Sequence, residues 1–508
     1  MMYNQTLFSL LLIGSLLFGC ATTQTSSTPP AQPVEFVILQ LNDVYEIAPL
    51  EGGKVGGLAR VAGLLRQLEA ENPNTIAVMA GDFLSPSFMG TLKLDNGERI
   101  AGLQMVETLN ALGLDYATFG NHEFDLKDAA LLEKRIDQSQ FEYMSANAYC
   151  VDGTQQRPFQ QNGNPVPAYS TFAFEQNGTT YKLAIVGVVL PFARPPYVGY
   201  KDVEATFAEA VKNARQESDL VIGLTHLSVD GDEALAAAVP GLPLFMGGHE
   251  HENLSRYVGQ TAITKADANA KTVYIHRITY YPDSKVTQLF SELVPINEAT
   301  PEDPETAVVV DKWQSKIGDL ISQMGYDASA KLTTLSSPLI GTEAATRSSQ
   351  TNYGMLTNQA IAKAWPGADV YAFNSGSLRL DDNLSGAVTA YDVLRSFPYG
   401  GPVVRMSMKG DQLALLLNTG ETTNWGEGGY LQRYQAEKKG ANWIVNGQPL
   451  DKAKTYVVVL PEFVARGLEA NLEFLSTYTY DKLEEFAASG EVVKNDIRDM
   501  VIWYMGGM

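Results

Sequence analysis

Short apolar runs recur along the first part of the chain, and each stops at a small polar cluster. Residues 36–41, 76–80, 116–119, 220–224 and 244–246 are rich in Val, Ile, Leu, Met and Phe. Runs of this length predict buried strands. Between the first two, residues 57–70 set Leu58, Val61, Leu64, Leu65 and Leu68 on one face, the spacing of an amphipathic helix. Strand-like and helix-like stretches alternate over residues 34–297, which predicts an α/β fold with sheet layered between helices. Asp303 then offers a helix cap and Pro304 a first helical position. Val310, Trp313, Ile317, Leu320, Ile321 and Met324 follow at three- and four-residue steps, and Gly325 is placed as a stop. Residues 298–325 thus read as one helix linking two domains. Residues 326–508 predict a second domain of mixed α/β character, with a helix led by Asn352, Tyr353 and Gly354 and a strand over residues 456–460.

A chain of 508 residues is too long for one ordinary core, in keeping with that division. Formal net charge is -21, so a bare surface repels nucleic acid and anionic membranes, and any phosphate site needs local positive charge. The apolar stretch 7–18 is too short to span a bilayer and has the length of a signal h-region. It ends in Leu17, Phe18, Gly19 and Cys20, which resembles a bacterial lipoprotein processing site with Cys20 as the lipidated residue. Phe18 is bulkier than usual there, and residues 1–7 hold no Lys or Arg. The alternative is a plain secretory signal. Residues 1–20 are therefore assigned to the signal and residues 21–33, polar and Pro-containing, to a flexible tether. The protein is expected outside the cytoplasm, lipid-anchored to a bacterial membrane at the periplasm or cell surface. With Cys20 lipidated, Cys150 has no partner and reads as an inert buried thiol.

The polar clusters carry the chemistry. Four of the five histidines lie in Gly120-Asn121-His122-Glu123, Thr225-His226 and Gly247-Gly248-His249-Glu250-His251. Asn42-Asp43 and Gly81-Asp82 add carboxylates. In an open α/β sheet, ligands bind beyond the carboxyl ends of the strands. Five strands ending in these groups would aim them at one crevice and supply two divalent cations with O and N ligands. Asp82 is the candidate bridge, and Gly81 lets the backbone come close. Two cations ~3.5–4 Å apart can activate a water and neutralise a phosphoryl group. Imidazole with carboxylate suits Zn, Mn, Fe or Co, and a cluster without Cys is no Cys-rich structural zinc site. Taken singly, Gly-Asp is also an ordinary turn, and His249-x-His251 two strand residues facing one way. His276 has no such setting and reads as structural.

In order and company, Asn-Asp, Gly-Asp, Gly-Asn-His-Glu, Thr-His and Gly-Gly-His-x-His resemble the motifs of the calcineurin-like metallophosphoesterases. With the second domain, the chain is similar to the 5'-nucleotidase and UDP-sugar hydrolase family over residues 34–480. The resemblance implies a four-layered metallophosphoesterase β-sandwich flanked by helices, joined by a helix to a substrate-binding domain. It implies that Asp43, Asp82 and His251 hold one metal and Asp82, Asn121, His226 and His249 the other. His122 would face the substrate phosphate, with Asp125 orienting it; Asp125 could instead be a helix cap. The implied activity is release of nucleoside and phosphate from a small-molecule nucleotide by a monomer, with a cyclic nucleotide or a nucleotide sugar as alternative substrates. A nucleotide-binding surface lipoprotein without catalysis is the alternative from another class.

The family usually reads Asp-x-His where this chain has Asp43-Val44-Tyr45. Tyr45 would bind as a phenolate, hydrogen-bond a metal-bound water, or leave the first site weak and filled only with substrate. The last two are favoured, since ionising a phenol works against a pKa near ~10. In the second domain the family grips phosphates by arginine and a nucleoside between two rings. Arg347 and Arg379 stand at the arginine positions, and Tyr399 and Phe463 at the aromatic ones. The alternative is that both rings are core residues. Where the family has Gly-Gly-Asp-Gly, this chain reads Gly467-Leu468-Glu469-Ala470. Glu469 would replace the ribose-binding Asp with one methylene more.

Overall fold

The apolar runs owe their continuity to burial on both faces. A computed structural model describes residues 31–508 apart from 127, 177, 193 and 194. In the strand Val34–Leu41, Val37, Leu39 and Leu41 point to one core, and Val34, Phe36 and Ile38 to another. The strand Thr75–Met79 divides likewise, with Ala77 and Met79 on one side and Ile76 and Val78 on the other. A sheet covered on both faces needs no polar alternation.

Two six-stranded sheets build the first half. One runs in the order Val286–Pro295, Thr272–Tyr281, Val34–Leu41, Thr75–Met79, Tyr116–Thr118 and Glu142–Met144. The other runs Leu254–Val258, Thr261–Lys265, Leu244–Gly247, Leu220–His226, Thr179–Val189 and Tyr169–Gln176. Phe36, Ile38 and Val78 of the first meet Leu183, Ile222 and Met246 of the second in a common core. Helices Leu58–Glu71 and Leu103–Leu112 cover the outer face of the first sheet. Val203–Ala214 and Val229–Ala238 cover the second. The result is a helix–sheet–sheet–helix sandwich.

Parallel pairing puts the site-bearing ends together. Val34–Leu41 is parallel to Thr75–Met79, and that strand to Tyr116–Thr118. In the second sheet Leu220–His226 is parallel to Leu244–Gly247. Gln40 Nε2 donates across the sandwich to the carbonyls of Gly247 (3.0 Å) and Thr264 (2.9 Å). The two sets of strand ends are thereby fixed against each other.

The helix expected over residues 298–325 spans Pro304–Gln323, capped by the Asp303 carboxylate on Thr306 N at 2.8 Å. It is more than a connector. Val310, Trp313, Ile317, Leu320 and Ile321 are buried in the core of the first half, over helices Leu58–Glu71 and Leu103–Leu112. Its apolar stripe therefore packs on the two helices that cover the first sheet and forms a further layer outside them.

The second half has a five-stranded sheet in the order Leu431–Tyr434, Val370–Asn374, Thr455–Pro461, Val403–Lys409 and Tyr480–Asp481. Helices Asn352–Ala364 and Ile497–Gly506 pack on one face through Tyr353, Leu356, Ile361 and Met500. Gly410–Asn418 packs on the other through Leu413, Leu416 and Leu417. The halves meet closely: Tyr391 packs its ring 6.5 Å from that of Phe88 and donates its hydroxyl to Glu46 at 3.0 Å. Cys150 is buried and a free thiol. Among the described residues no helix is long and apolar enough to cross a membrane. The expected signal residues 1–20, Cys20 included, lie outside the described residues.

Candidate metal centre and substrate face

Three of the five metal-site loops turn sharply just after their strands. Asp43, Asp82 and His249 all adopt left-handed backbone, at φ 53°, 58° and 84°. Non-glycine residues seldom do so, and clusters of such strain mark functional sites. The glycines beside them permit close approach. A Cβ on Gly81 would lie 2.4 Å from Gly120 N, and one on Gly248 2.4 Å from Ala80 O.

The turns at Asp43 and Asp82, with the strand end at His226, bring these three within reach of one point, their ligand atoms all lying within 4.8 Å of one another. His226 Nε2 lies 3.2 Å from Asp82 Oδ2, while its Nδ1 faces the Ala80 carbonyl at 2.7 Å. The His249 ring lies 5.5 Å from that of His226, and its backbone N–H donates to Asp43 Oδ2 at 2.9 Å. His251 Nε2 lies 3.6 Å from Asp43 Oδ1. Asn121 precedes His122, whose backbone N–H donates to Asp82 Oδ1 at 2.7 Å. Asp43 Oδ1, Asn121 Oδ1 and His226 Nε2 are buried with no hydrogen bond of their own. Buried polar atoms are rarely left so. The carboxylates and imidazole that converge here, with the buried amide oxygen of Asn121 next to His122, are a donor set that fits divalent metal.

Charge follows the geometry. Burial would raise the Asp82 carboxyl, but His226 and His122 beside it hold it well below the usual carboxylate range. Burial would lower His226, and the Asp82 carboxylate instead lifts it to about 9. His249 is pushed down to about 3, by burial first and then by the charge of His226. It keeps a neutral ring with a lone pair for a cation. Tyr45 donates within the cluster, its hydroxyl 3.1 Å from His251 Nε2 and 3.4 Å from Asp82 Oδ2. Burial and then the charges of Asp82 and Asp43 push this phenol well above its ordinary value, which disfavours a phenolate.

His122 Nδ1 is 2.8 Å from Asp125 Oδ2. The same oxygen accepts from Ser85 Oγ at 3.1 Å and from Tyr399 OH, in the second half, at 3.4 Å. Burial works against a charged His122, yet the carboxylates of Asp82 and Asp125 raise it above its ordinary value. Asp125 sits at the end of the short 3-10 turn His122–Asp125, not at a helix cap.

From the second half, Arg379 donates Nε to Gly376 O at 2.9 Å, and its charge is felt at His122. Arg347 pairs with Glu343 at 2.7 Å. Tyr399 and Phe463 are 52% and 48% exposed, so neither is a core aromatic. They lie beyond the same end of the sheet, where Glu462 N donates to Pro402 O at 2.9 Å. Among the ring contacts of the described residues, none joins them. Glu469 accepts from Asn374 Nδ2 at 2.6 Å, beside the loop that leads to Arg379.

Several site residues escaped the sequence reading. Glu123, in a motif noted for its neighbours, is buried and accepts from the backbone N–H of Asp82 (2.8 Å), Phe83 (2.8 Å), Leu84 (3.0 Å) and Gly120 (2.6 Å). Lys265 is fully buried, pairing with Asp232 at 2.8 Å and with Glu250, between the two loop histidines. Glu343 and Asp381 reach His251 from the second half, without any sequence pattern to announce them. His276 is buried and joined to Gln40 at 2.9 Å and Ser291 at 2.8 Å, away from the metal ligands.

Residues 36–253 match the family model described as calcineurin-like phosphoesterase, and residues 329–475 the model described as 5'-nucleotidase, C-terminal domain. Among curated proteins, the chain is 23% identical to a 5'-nucleotidase of Bos taurus, over 86% of this chain and 84% of that one. It is 25% identical to a 5'-nucleotidase of Vibrio cholerae, over 91% of this chain and 90% of that one. Among solved structures, a 5'-nucleotidase precursor from Thermus thermophilus superposes with a TM-score of 0.74 at 20% identity, covering 93% of this chain and 96% of that one. That last likeness is one of fold.

Proposed function

Since the chain belongs to the hydrolase family that joins a calcineurin-like metallophosphoesterase domain to a 5'-nucleotidase C-terminal domain, we propose that it is a 5'-nucleotidase, releasing nucleoside and phosphate from small-molecule nucleotides. The observation that carries this reading is the convergence of Asp43, Asp82 and His226, with His122 beside them under the charge of Arg379.

In this reading Asp43, Asp82 and His251 hold one divalent cation, and Asp82, Asn121, His226 and His249 the other. Bound there, the cations would supply an activated water and neutralise the phosphoryl oxygens. His122, with Asp125 on its Nδ1, presents its other edge to the phosphate and gives a proton or hydrogen bond to the leaving oxygen. Arg379 and Arg347 take the phosphate by planar, forked donation. Tyr399 and Phe463 hold the base, and Glu469 the ribose. Glu123 keeps the Asp82 and Gly120 loops in register. Tyr45 hydrogen-bonds inside the site and leaves the first cation with fewer protein ligands. Residues 34–297 carry the metals and residues 326–508 the nucleotide. The extracytoplasmic location and the lipid on Cys20 are part of the same proposal: Cys20→Ala should move the protein from the membrane to the soluble fraction.

The test is phosphate release by the purified protein in Mn, Co or Zn, on nucleoside monophosphates, cyclic nucleotides and nucleotide sugars. Metal-dependent release from monophosphates above the other two classes is expected. Release chiefly from a cyclic nucleotide or a nucleotide sugar would reassign the substrate. Binding of nucleotide without turnover in any metal would favour a binding lipoprotein.

A further inference from the structure

His251 lies between the halves. Its Nε2 faces Tyr45 OH at 3.1 Å and Asp43 Oδ1 at 3.6 Å, both in the first half. Its Nδ1 faces Asp381 Oδ2 at 2.5 Å and Glu343 Oε2 at 3.7 Å, both in the second. His226 is arranged otherwise. Its outer nitrogen meets the Ala80 carbonyl at 2.7 Å, so its orientation is fixed within the first half alone.

Asp381 is built into this position. It is buried, and its backbone is left-handed at φ 56°. Lys271 Nζ, from the first half, donates to its carbonyl at 2.8 Å, and Glu343 N donates to its Oδ1 at 3.2 Å. The second oxygen, Oδ2, lies against His251 Nδ1 as an ion-pair contact, and neither atom has a hydrogen bond to any other group among the described residues. Glu343 is the weaker candidate for that role, being farther away and already paired with Arg347 at 2.7 Å.

We propose that Asp381 is a positioning residue for His251. Its carboxylate accepts a hydrogen bond from the Nδ1 N–H once a cation is bound, fixes the tautomer and turns the Nε2 lone pair toward that cation. A histidine that binds metal through one nitrogen generally gives the other N–H to such a partner, and losing that partner weakens metal affinity about 10–100-fold. Here the partner comes from the opposite half, so one cation site is complete only while the halves are together. With Tyr45 in place of a histidine, that site leans on His251 all the more. The inference rests on the dimetal reading above.

The experiment is calorimetric titration of chelator-treated full-length protein with Mn²⁺ alone. Wild type should bind two ions. Asp381→Ala should weaken one site about 10–100-fold and leave the other unchanged. Asp381→Asn, whose amide oxygen still accepts from Nδ1, should lose less, and it carries the comparison should the alanine variant misfold by circular dichroism. In a His251→Ala background, Asp381→Ala should have no further effect, which a merely structural role would not produce. Two wild-type affinities in both Asp381 variants would overturn the inference while the dimetal reading stands. So would an undiminished loss in the His251→Ala background. Wild type that binds no Mn²⁺ would overturn the dimetal reading itself, and this inference with it.

Discussion

The halves hold their functional side chains in different ways. In the first half, the metal-site groups are wired to the main chain: Asp82 accepts from His122 N, Asp43 from His249 N, and His226 meets Ala80 O. Glu123 anchors two of the loops through four backbone N–H groups. In the second half, Tyr399 and Phe463 stand half-exposed beyond the end of a sheet. A reaction centre depends on geometry set before the substrate arrives. A grip on a base tolerates adjustment, because stacking is broad in angle and in partner. Under the proposed function, the contrast would put reaction chemistry in the half whose groups are held by the main chain and base recognition on the exposed rings of the other.

Substitutions in each half would break or sharpen that contrast. The largest effect belongs to Asp82→Ala, which should abolish phosphate release and Mn²⁺ binding together; retained turnover would remove the bridging role. Next, His122→Ala should lower kcat by about 10²–10⁴-fold with both ions still bound by calorimetry. Loss of metal in that variant would make His122 a ligand.

On the recognition side, Tyr399→Ala and Phe463→Ala should each raise KM for a nucleoside monophosphate by the equivalent of about 1–3 kcal/mol. Hydrolysis of p-nitrophenyl phosphate, which carries no base, should change little in Phe463→Ala. Equal losses on both substrates would show that the second half also shapes the reaction centre.

The smallest effect tests the wiring of the first half through pH. Burial holds His276 at about 3, against about 6.5 in an unfolded chain. Its folded value is depressed, so the unfolded state binds the proton more readily. Stability from the neutral ring is complete above pH ~6.5 and falls by about 1.4 kcal/mol per unit as pH drops toward ~3. Urea unfolding at two pH values about 1.5 units apart below that point should differ by about 2 kcal/mol from this group. His276→Gln should flatten that slope, and an unchanged slope would assign it to other groups.

The strands were legible because burial on both faces leaves an uninterrupted apolar run, and the loops because parallel strands place their polar ends side by side. Gly81 and Gly248 were legible in part: a glycine next to a carboxylate or histidine signals close approach, but not to which atoms. Glu123 was in view without a task, since its task lies in amides contributed by the Asp82 loop. Asp381 and Glu343 were illegible. Neither follows an apolar strand, and their meeting with His251 depends on how two separately folded sheets dock. The exposure of Tyr399 and Phe463 was open for the same reason: aromatic residues at a strand end look alike in sequence whether they cap a core or face solvent. Lys265 reads as an ordinary strand residue until Asp232 and Glu250 are known to flank it.

The helix Pro304–Gln323 decides where this molecule can be cut. A truncation just before Pro304 would strip Trp313, Ile317 and Ile321 from helices Leu58–Glu71 and Leu103–Leu112, which they cover, leaving an apolar scar and an aggregating fragment. One made beyond Gly325 would carry its own lid, and is the version in which the metal-bearing half stands a chance of living alone.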